Sequence, residues 1–235
     1  LPAPGVEAKL VPDSAAQAHG KTEIRFRGPN VMPGYWRAPQ ETQDAFDEEG
    51  FYKTGDAVRF IDPAPPGRGL MFDGRIAEDF KLSTGTFVSV GPLRAAIIAA
   101  GDPCVQDAVV AGLNRDEIGL LIFPRPDECQ RLAGLPAGAP LPDVLHAPAV
   151  RAFFQRLADA LWAAGTGSAN RPARMHVLAE PPSIDKGEIT DKGSINQRAV
   201  LAARAALVDA FYEGRGSDPF LILPRKGEDR QFENL

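Results

Sequence analysis

The sequence predicts an α+β chain: a small antiparallel β unit joined by a hinge to a mixed α/β domain. Up to residue 73, short runs of alternating apolar and charged residues are cut by Gly and Pro, as half-buried strands are. After Gly74-Arg75 the texture changes to apolar runs of strand length interleaved with residues at helical spacing. An apolar content of 44% over 235 residues is enough for one large core or two small ones.

In chain order, Ile24-Arg25-Phe26-Arg27 alternates as a strand, followed by the breakers Gly28-Pro29-Asn30 and Pro33-Gly34. Further strands are expected from Asp56 to Ile61 and from Leu70 to Asp73, around the turn-rich loop Asp62 to Gly69. Thr86 to Val90 reads as a strand, and Gly91-Pro92 opens a helix through Ala100, with Pro in the tolerated first turn. Val105 to Leu113, Ile118 to Phe123 and Met175 to Leu178 are strand-like. From Val150, residues Phe153, Phe154, Leu157, Leu161 and Ala164 mark one face of a helix. Ser194 with Gln197 suggests a capping box for a last helix, with Ala199, Ala203, Ala206 and Ala210 along one face. The expected division is a β unit over residues 1–75, a mixed α/β domain over 76–212 and a flexible tail over 213–235. There is no internal repeat.

Composition excludes several functions. A net charge of −5, with no Lys/Arg run interleaved with aromatics, argues against a nucleic-acid binder. Cys104 and Cys129 are too few for a disulfide framework, and with His19, His146 and His176 scattered, no metal site is expected. No apolar stretch approaches the roughly 20 residues of a membrane span. The chain opens with Leu1-Pro2-Ala3-Pro4 rather than a signal peptide. The expectation is a cytoplasmic piece of a longer protein.

The chemistry concentrates in Phe51-Tyr52-Lys53-Thr54-Gly55-Asp56 and Gly74-Arg75. A carboxylate in a tight turn can accept from both hydroxyls of a ribose, and Gly55 lets backbone approach the ligand. Arg75 adds a planar donor for ribose or phosphate oxygens. Taken alone, Thr-Gly-Asp is a plain turn and Arg75 a surface ion-pair residue.

The neighbours of these residues change that reading. Gly28-Pro29-Asn30-Val31-Met32-Pro33-Gly34-Tyr35-Trp36, Thr42, Phe46, Glu49 to Asp56, and "GRIAEDFKLSTGTFVSVGPLR" from Gly74 follow one another in the order and spacing of the adenylate-forming superfamily. The chain resembles the C-terminal portion of such an enzyme, through about residue 212. The long Asp62 to Gly69 loop and "GEITDKG" from Gly187 make it most similar to feruloyl-CoA synthases. Thr22-Glu23-Ile24, with Gly28 to Trp36, resembles the strand and loop that precede the nucleotide site in this family.

The resemblance implies a fold and a chemistry. A carboxylic acid, such as a hydroxycinnamate, attacks the α-phosphate of ATP with Mg²⁺ present. A rotation of the C-terminal domain then lets coenzyme A displace AMP. Asp56 and Arg75 would bind the nucleotide. Ala77 and Glu78 would form the hinge, where Ala77 replaces the usual Asp or Lys. Lys81, Ser83, Thr84 and Gly85 would line the pantetheine tunnel, and Lys192 would act in adenylation, with Lys186 its rival. Glu188 stands where most members carry that lysine, and a carboxylate cannot replace it. The phosphate loop and acyl pocket would lie in an N-terminal region absent here, so the chain alone is expected to be inactive. The alternatives are the adenylating part of a carboxylic acid reductase, a long-chain acyl-CoA synthetase, or a non-catalytic binding fragment. Two other features are set aside: Gly165-Thr166-Gly167-Ser168 follows a helix and has no nearby Lys-Ser/Thr, as a linker does. His176, in an apolar strand, is expected to be a packed core residue.

Overall fold

A computed structural model describes residues 2–12, 21–62, 64, 66–213 and 218–225, so His19 and much of the expected tail lie outside the described residues. The chain divides into two compact units, Leu1–Asp79 and Phe80–Leu235. The α+β expectation holds: the first unit is an antiparallel sheet and the second a mixed sheet with helices.

In the first unit, β1 (Glu7–Pro12), β2 (Thr22–Arg27), β3 (Tyr52–Phe60) and β4 (Leu70–Arg75) form an antiparallel meander in the order β1-β2-β3-β4. The β2–β3 connection carries the short helix α1 (Pro39–Ala45). Gly34 is required there, because a Cβ on it would stand 2.6 Å from Thr42 Cγ2. The Tyr35 N–H donates to Thr42 Oγ1 at 2.9 Å, which ties the Pro33-Gly34-Tyr35 loop to the helix.

The second unit opens with the hairpin β5 (Phe80–Lys81) and β6 (Phe87–Val88), then α2 (Val90–Ala100) and β7 (Val105–Ala111). Next come β8 (Ile118–Pro124), α3 (Pro126–Ala133), α4 (Leu141–His146), α5 (Pro148–Ala164) and β9 (Pro172–Val177). The chain ends in α6 (Gln197–Ala203), α7 (Ala205–Glu213) and β10 (Leu221–Ile222). The sheet order is β10-β9-β8-β7, with β8 and β9 parallel and the other pairs antiparallel.

Every residue of β8 is buried, because both sheet faces are covered. Ile118, Leu120 and Ile122 pack with Ile97, Phe154 and Leu157 of α2 and α5. Leu121 and Phe123 face the other way, with Ile195 and Val200.

Three expectations need correction. The described part of the expected flexible tail is ordered: Leu221–Ile222 pairs with Met175–His176 on β9, and Ile222 joins the core. The last helix is two helices, broken at Arg204, and its alanine stripe is not the buried face. Val200 and Phe211 are buried, whereas Ala203, Ala206 and Ala210 are exposed. The capping box does not form either. Asn196 is the N-cap, accepting from the Ala199 N–H at 3.3 Å. Gln197 is buried and instead accepts from the Val110 N–H at 3.1 Å, satisfying a donor on the edge strand β7.

Cys104 and Cys129 are buried free thiols, and burial pushes Cys129 up to about 12. His176 is the packed histidine expected. Burial holds it below the ordinary 6.5, against the pull of Asp218. Below pH 6.5 the unfolded chain therefore takes up a proton that the folded chain resists, so stability falls as pH drops through that range. The thermal midpoint of the chain should decrease between about pH 7 and pH 5, and His176→Leu should flatten that slope in melts followed by circular dichroism.

Candidate active site

In the first unit, the Thr54-Gly55-Asp56 run is not a turn between strands. It lies inside β3, which begins at Tyr52 rather than at Asp56 as expected. The ladder shifts register between Glu23 and Arg25 on one side and between Asp56 and Val58 on the other. Such bulges bend a strand and re-aim a side chain. Gly55 makes this possible with φ +70°, a left-handed conformation that a Cβ would strain.

The bulge is held by side chains. Glu23, almost fully buried, accepts from the Gly55 N–H at 3.0 Å and from Arg25 Nε at 2.8 Å. Thr54 Oγ1 donates to the Ile24 carbonyl at 2.6 Å and accepts from the Asp56 N–H at 3.0 Å. In the sequence Glu23 is visible only as part of a motif. Its grip on Gly55 comes from a 32-residue separation closed by strand pairing.

Asp56 and Arg75 face each other as register partners on β3 and β4. Their closest atoms, Arg75 Nε and Asp56 Oδ1, are 3.8 Å apart, and both side chains keep solvent access. That distance is an ion pair but too long for a hydrogen bond, so both groups retain capacity for a third partner. Burial raises the Asp56 carboxyl above its ordinary value; Arg75 opposes this and Glu23 adds to it. Ala77 and Glu78 follow Arg75 in a 3₁₀ turn, Ile76–Glu78.

In the second unit, Lys81 ends β5 and its carbonyl accepts from the Asn114 N–H at 3.4 Å. Leu82 and Thr86 close the hairpin, with the Leu82 N–H donating to the Thr86 carbonyl at 2.9 Å and Gly85 at φ +82°. Ser83 is fixed to the β7–β8 turn: its N–H donates to the Arg115 carbonyl at 2.9 Å and its hydroxyl to Asp116. Thr84 and Thr86 share a hydroxyl contact at 3.0 Å. The Gly165 to Ser168 segment is a turn closed by Asn170 Oδ1, which accepts from the Thr166 and Gly167 N–H groups at 2.9 and 3.1 Å.

Lys192 and Lys186 lie on successive turns of one segment, both exposed. Lys192 stands at the tip of a small hairpin made by the Ile189–Ile195 bridge. Around it the Thr190 N–H donates to the Ser194 carbonyl at 2.9 Å, and the Gly193 N–H to the Thr190 carbonyl at 2.8 Å. Between the two lysines, Glu188 is buried and bidentate with Arg204, at 2.8 Å from both Nε and Nη2. It also accepts from the Ser183 N–H at 2.8 Å. Arg204, first among the causes, holds the Glu188 carboxyl below its ordinary value. Glu188 is thus a structural anchor facing inward. Nothing in the sequence pairs it with Arg204.

Among the described residues, no group of three or more His, Cys, Asp or Glu side chains is placed to hold a metal. Also among the described residues, no helix is long and apolar enough to cross a membrane.

No family model matches the chain. It is 26% identical over 220 residues to the chloroplastic long-chain-fatty-acid–[acyl-carrier-protein] ligase of Arabidopsis thaliana, covering 90% of this chain and 28% of that protein. It is 31% identical over 118 residues to the malonate–CoA ligase of the same plant, covering 50% of this chain and 18% of that one. The likeness is to the adenylate-forming superfamily. The solved A domain of the carboxylic acid reductase from Segniliparus rugosus, in complex with AMP and a co-purified carboxylic acid, has the same fold. Its TM-score is 0.68 at 26% identity, over 91% of this chain and 32% of that one. The chain thus spans about a third or less of these relatives. Its α+β architecture matches their C-terminal region.

Glu188→Lys, the residue type that the resemblance implies at this position, should unfold the chain rather than activate it. A second cation beside the buried Arg204 should cost about 3–5 kcal/mol, read as a lower urea midpoint.

Proposed function

We propose that the chain is the C-terminal portion of an ATP-dependent acid–thiol ligase that forms an acyl-adenylate and then a thioester. The observation that carries this is the Asp56–Arg75 pair, aimed by the Gly55 bulge and left open to a third partner. A carboxylate and a guanidinium so placed suit the vicinal hydroxyls of a ribose, the carboxylate accepting from both. Of the relatives named above, one is a malonate–CoA ligase and one is solved with AMP and a carboxylic acid, which supports the reading.

Within it, Lys192 supplies positive charge between the α-phosphate and the attacking carboxylate. Opposite charges ~4 Å apart attract by about 4 kcal/mol at an effective dielectric of ~20, enough to align reactants. The short hairpin that carries Lys192 sets where the ammonium can reach. Lys81 to Gly85 would then present backbone to the incoming thiol arm, since the Ser83 hydroxyl is already taken by Asp116. The acid is an aromatic one of the hydroxycinnamate type, on the resemblance of "GRIAEDFKLSTGTFVSVGPLR" and "GEITDKG" alone.

A second reading concerns the acceptor. One relative matched over most of this chain is a ligase for an acyl-carrier protein, whereas the malonate–CoA ligase is matched over half of it. A pantetheine thiol on a carrier protein would use the same loop.

In the full-length protein, Lys192→Ala should abolish acid-dependent ATP–pyrophosphate exchange and leave thioester formation from preformed adenylate largely intact. Equal loss of both steps, or loss with Lys186→Ala instead, would remove Lys192 from this role. A full-length protein with no exchange at all would leave the chain a binding fragment. Offering free coenzyme A and a pantetheinylated carrier in parallel separates the two acceptors. The chain alone should not turn over ATP, since it has no phosphate loop, and measurable hydrolysis by it would overturn that expectation.

A further inference from the structure

We infer that the recess between α1 and the Tyr35-Trp36 loop docks a basic segment of a partner protein, with a lysine or arginine head set among aromatic rings and carboxylates. Tyr35, Trp36 and Tyr52 line this recess together with Glu41, Asp44 and Lys53, and its volume is about 690 Å³. All six residues lie in the first unit, and the Asp56–Arg75 pair uses none of them. The ligase reading leaves Tyr35 and Trp36 without a task.

Trp36 is the anomaly. It is 87% exposed, and Tyr35 beside it 44%. A loose loop tip would account for that, but this loop is braced. The Tyr35 N–H is held by Thr42 Oγ1, the Ala38 N–H donates to the Tyr35 carbonyl at 3.3 Å, and the Thr42 hydroxyl donates to the Ala38 carbonyl at 2.8 Å. Between them Arg37 takes φ +55°, a left-handed conformation uncommon for a residue with a side chain. Strain of this kind persists where the surroundings over-determine it, and it clusters at functional sites. Helix α1 adds to the case, since none of its seven residues is buried. A helix this short draws its stability from packing, yet the side that bears Glu41 and Asp44 is left open.

The lining selects for a cation. Aromatic faces are negative, and a lysine or arginine head within about 6 Å of a Trp or Tyr ring is attracted to it. The chain already does this once, with Arg37 Cζ 5.5 Å from the Trp36 centroid. Helix α1 supplies two carboxylates at i and i+3. Asp44 accepts from the neutral Gln40 amide at 3.2 Å, and neither it nor Glu41 has an ion-pair partner among the described residues. Lys53 offsets one of these two charges. A hydrogen bond with Tyr35 raises the Tyr52 hydroxyl above its ordinary value, so that end of the recess stays neutral. At longer range the net charge of −5 draws a basic partner to the surface. The exposure of Trp36 chooses a protein over a small amine. Small-molecule sites bury most of their ligand, whereas an aromatic side chain standing out from a braced loop has the form of an interface anchor.

A labelled synthetic peptide with three lysines spaced by glycines, titrated with this chain at low salt and read by fluorescence anisotropy, tests the docking. Trp36→Ala should weaken binding about 10-fold or more, and Trp36→Phe should weaken it less, as cation–π strength dictates. Glu41→Gln combined with Asp44→Asn should also weaken it, and replacing the lysines by norleucine should abolish it. Trp162→Phe, in the second unit, should change nothing. The substituted side chains are exposed or half-exposed, so the variants should melt as the wild-type chain does. Unchanged affinity in Trp36→Ala would overturn the inference, because the attraction would then be to net charge alone. Absence of binding would do the same, as would choline binding as tightly as the peptide, which would make the recess a site for a free amine. In the full-length protein, hydroxyl-radical footprinting should modify Trp36 heavily; protection there would mean that the protein covers the recess with its own chain, and the docking would be lost. None of these readouts involves adenylation, so either proposal can fail alone.

Discussion

The arrangement of residues 181–196 in the second unit depends on one interaction, the buried pair between Glu188 and Arg204. Arg204 interrupts what would otherwise be a continuous helix over residues 197–213, and its guanidinium leaves the helix line to meet Glu188. It also donates to the Pro181 carbonyl at 2.9 Å and lies over the Phe123 ring at 5.3 Å from its centroid. One side chain therefore joins the α6–α7 break, the entrance of the 181–196 segment and the strand β8. The carboxylate between the two exposed lysines of that segment is held at both oxygens.

The same device recurs in the first unit at lower cost in charge. Glu23 neutralises Arg25 and holds the Gly55 N–H, so a single buried carboxylate fixes the bulge that presents Asp56. Buried ion pairs are weak evidence for net stability, since desolvation offsets the attraction. What they do well is penalise alternatives, because any shift that separates the partners strands a charge. Glu23 and Glu188 both sit beside segments that carry candidate site residues.

Much of this was legible in sequence where a residue acts through its local pattern. The all-apolar run Ile118 to Phe123, the Pro92-started helix and the alternation at Ile24 to Arg27 each became the element their period implies. Asp56 and Arg75 came together as expected, because a meander with a fixed register places them opposite each other. What failed were readings that depend on a distant partner. Gln197 looks like half of a capping box until a β7 amide 87 residues away claims it. The alanines of the last helices share a face, but Val200, Leu207, Val208 and Phe211 are larger and take the buried side, as burial area favours. The tail reads as disordered from its Gly, Pro and charge, yet Leu221–Ile222 finds an open edge on β9. A carboxylate at Glu188 cannot serve as a lysine, and its buried partner Arg204 is not revealed by local pattern.

In each unit the candidate groups are fixed by partners from the same unit: Asp56 by Glu23, Thr54 and strand register, Ser83 by Arg115 and Asp116, and the Lys192 turn by Thr190 and Ser194. Groups held in this way have their geometry before any ligand arrives, so little ordering entropy is lost on binding.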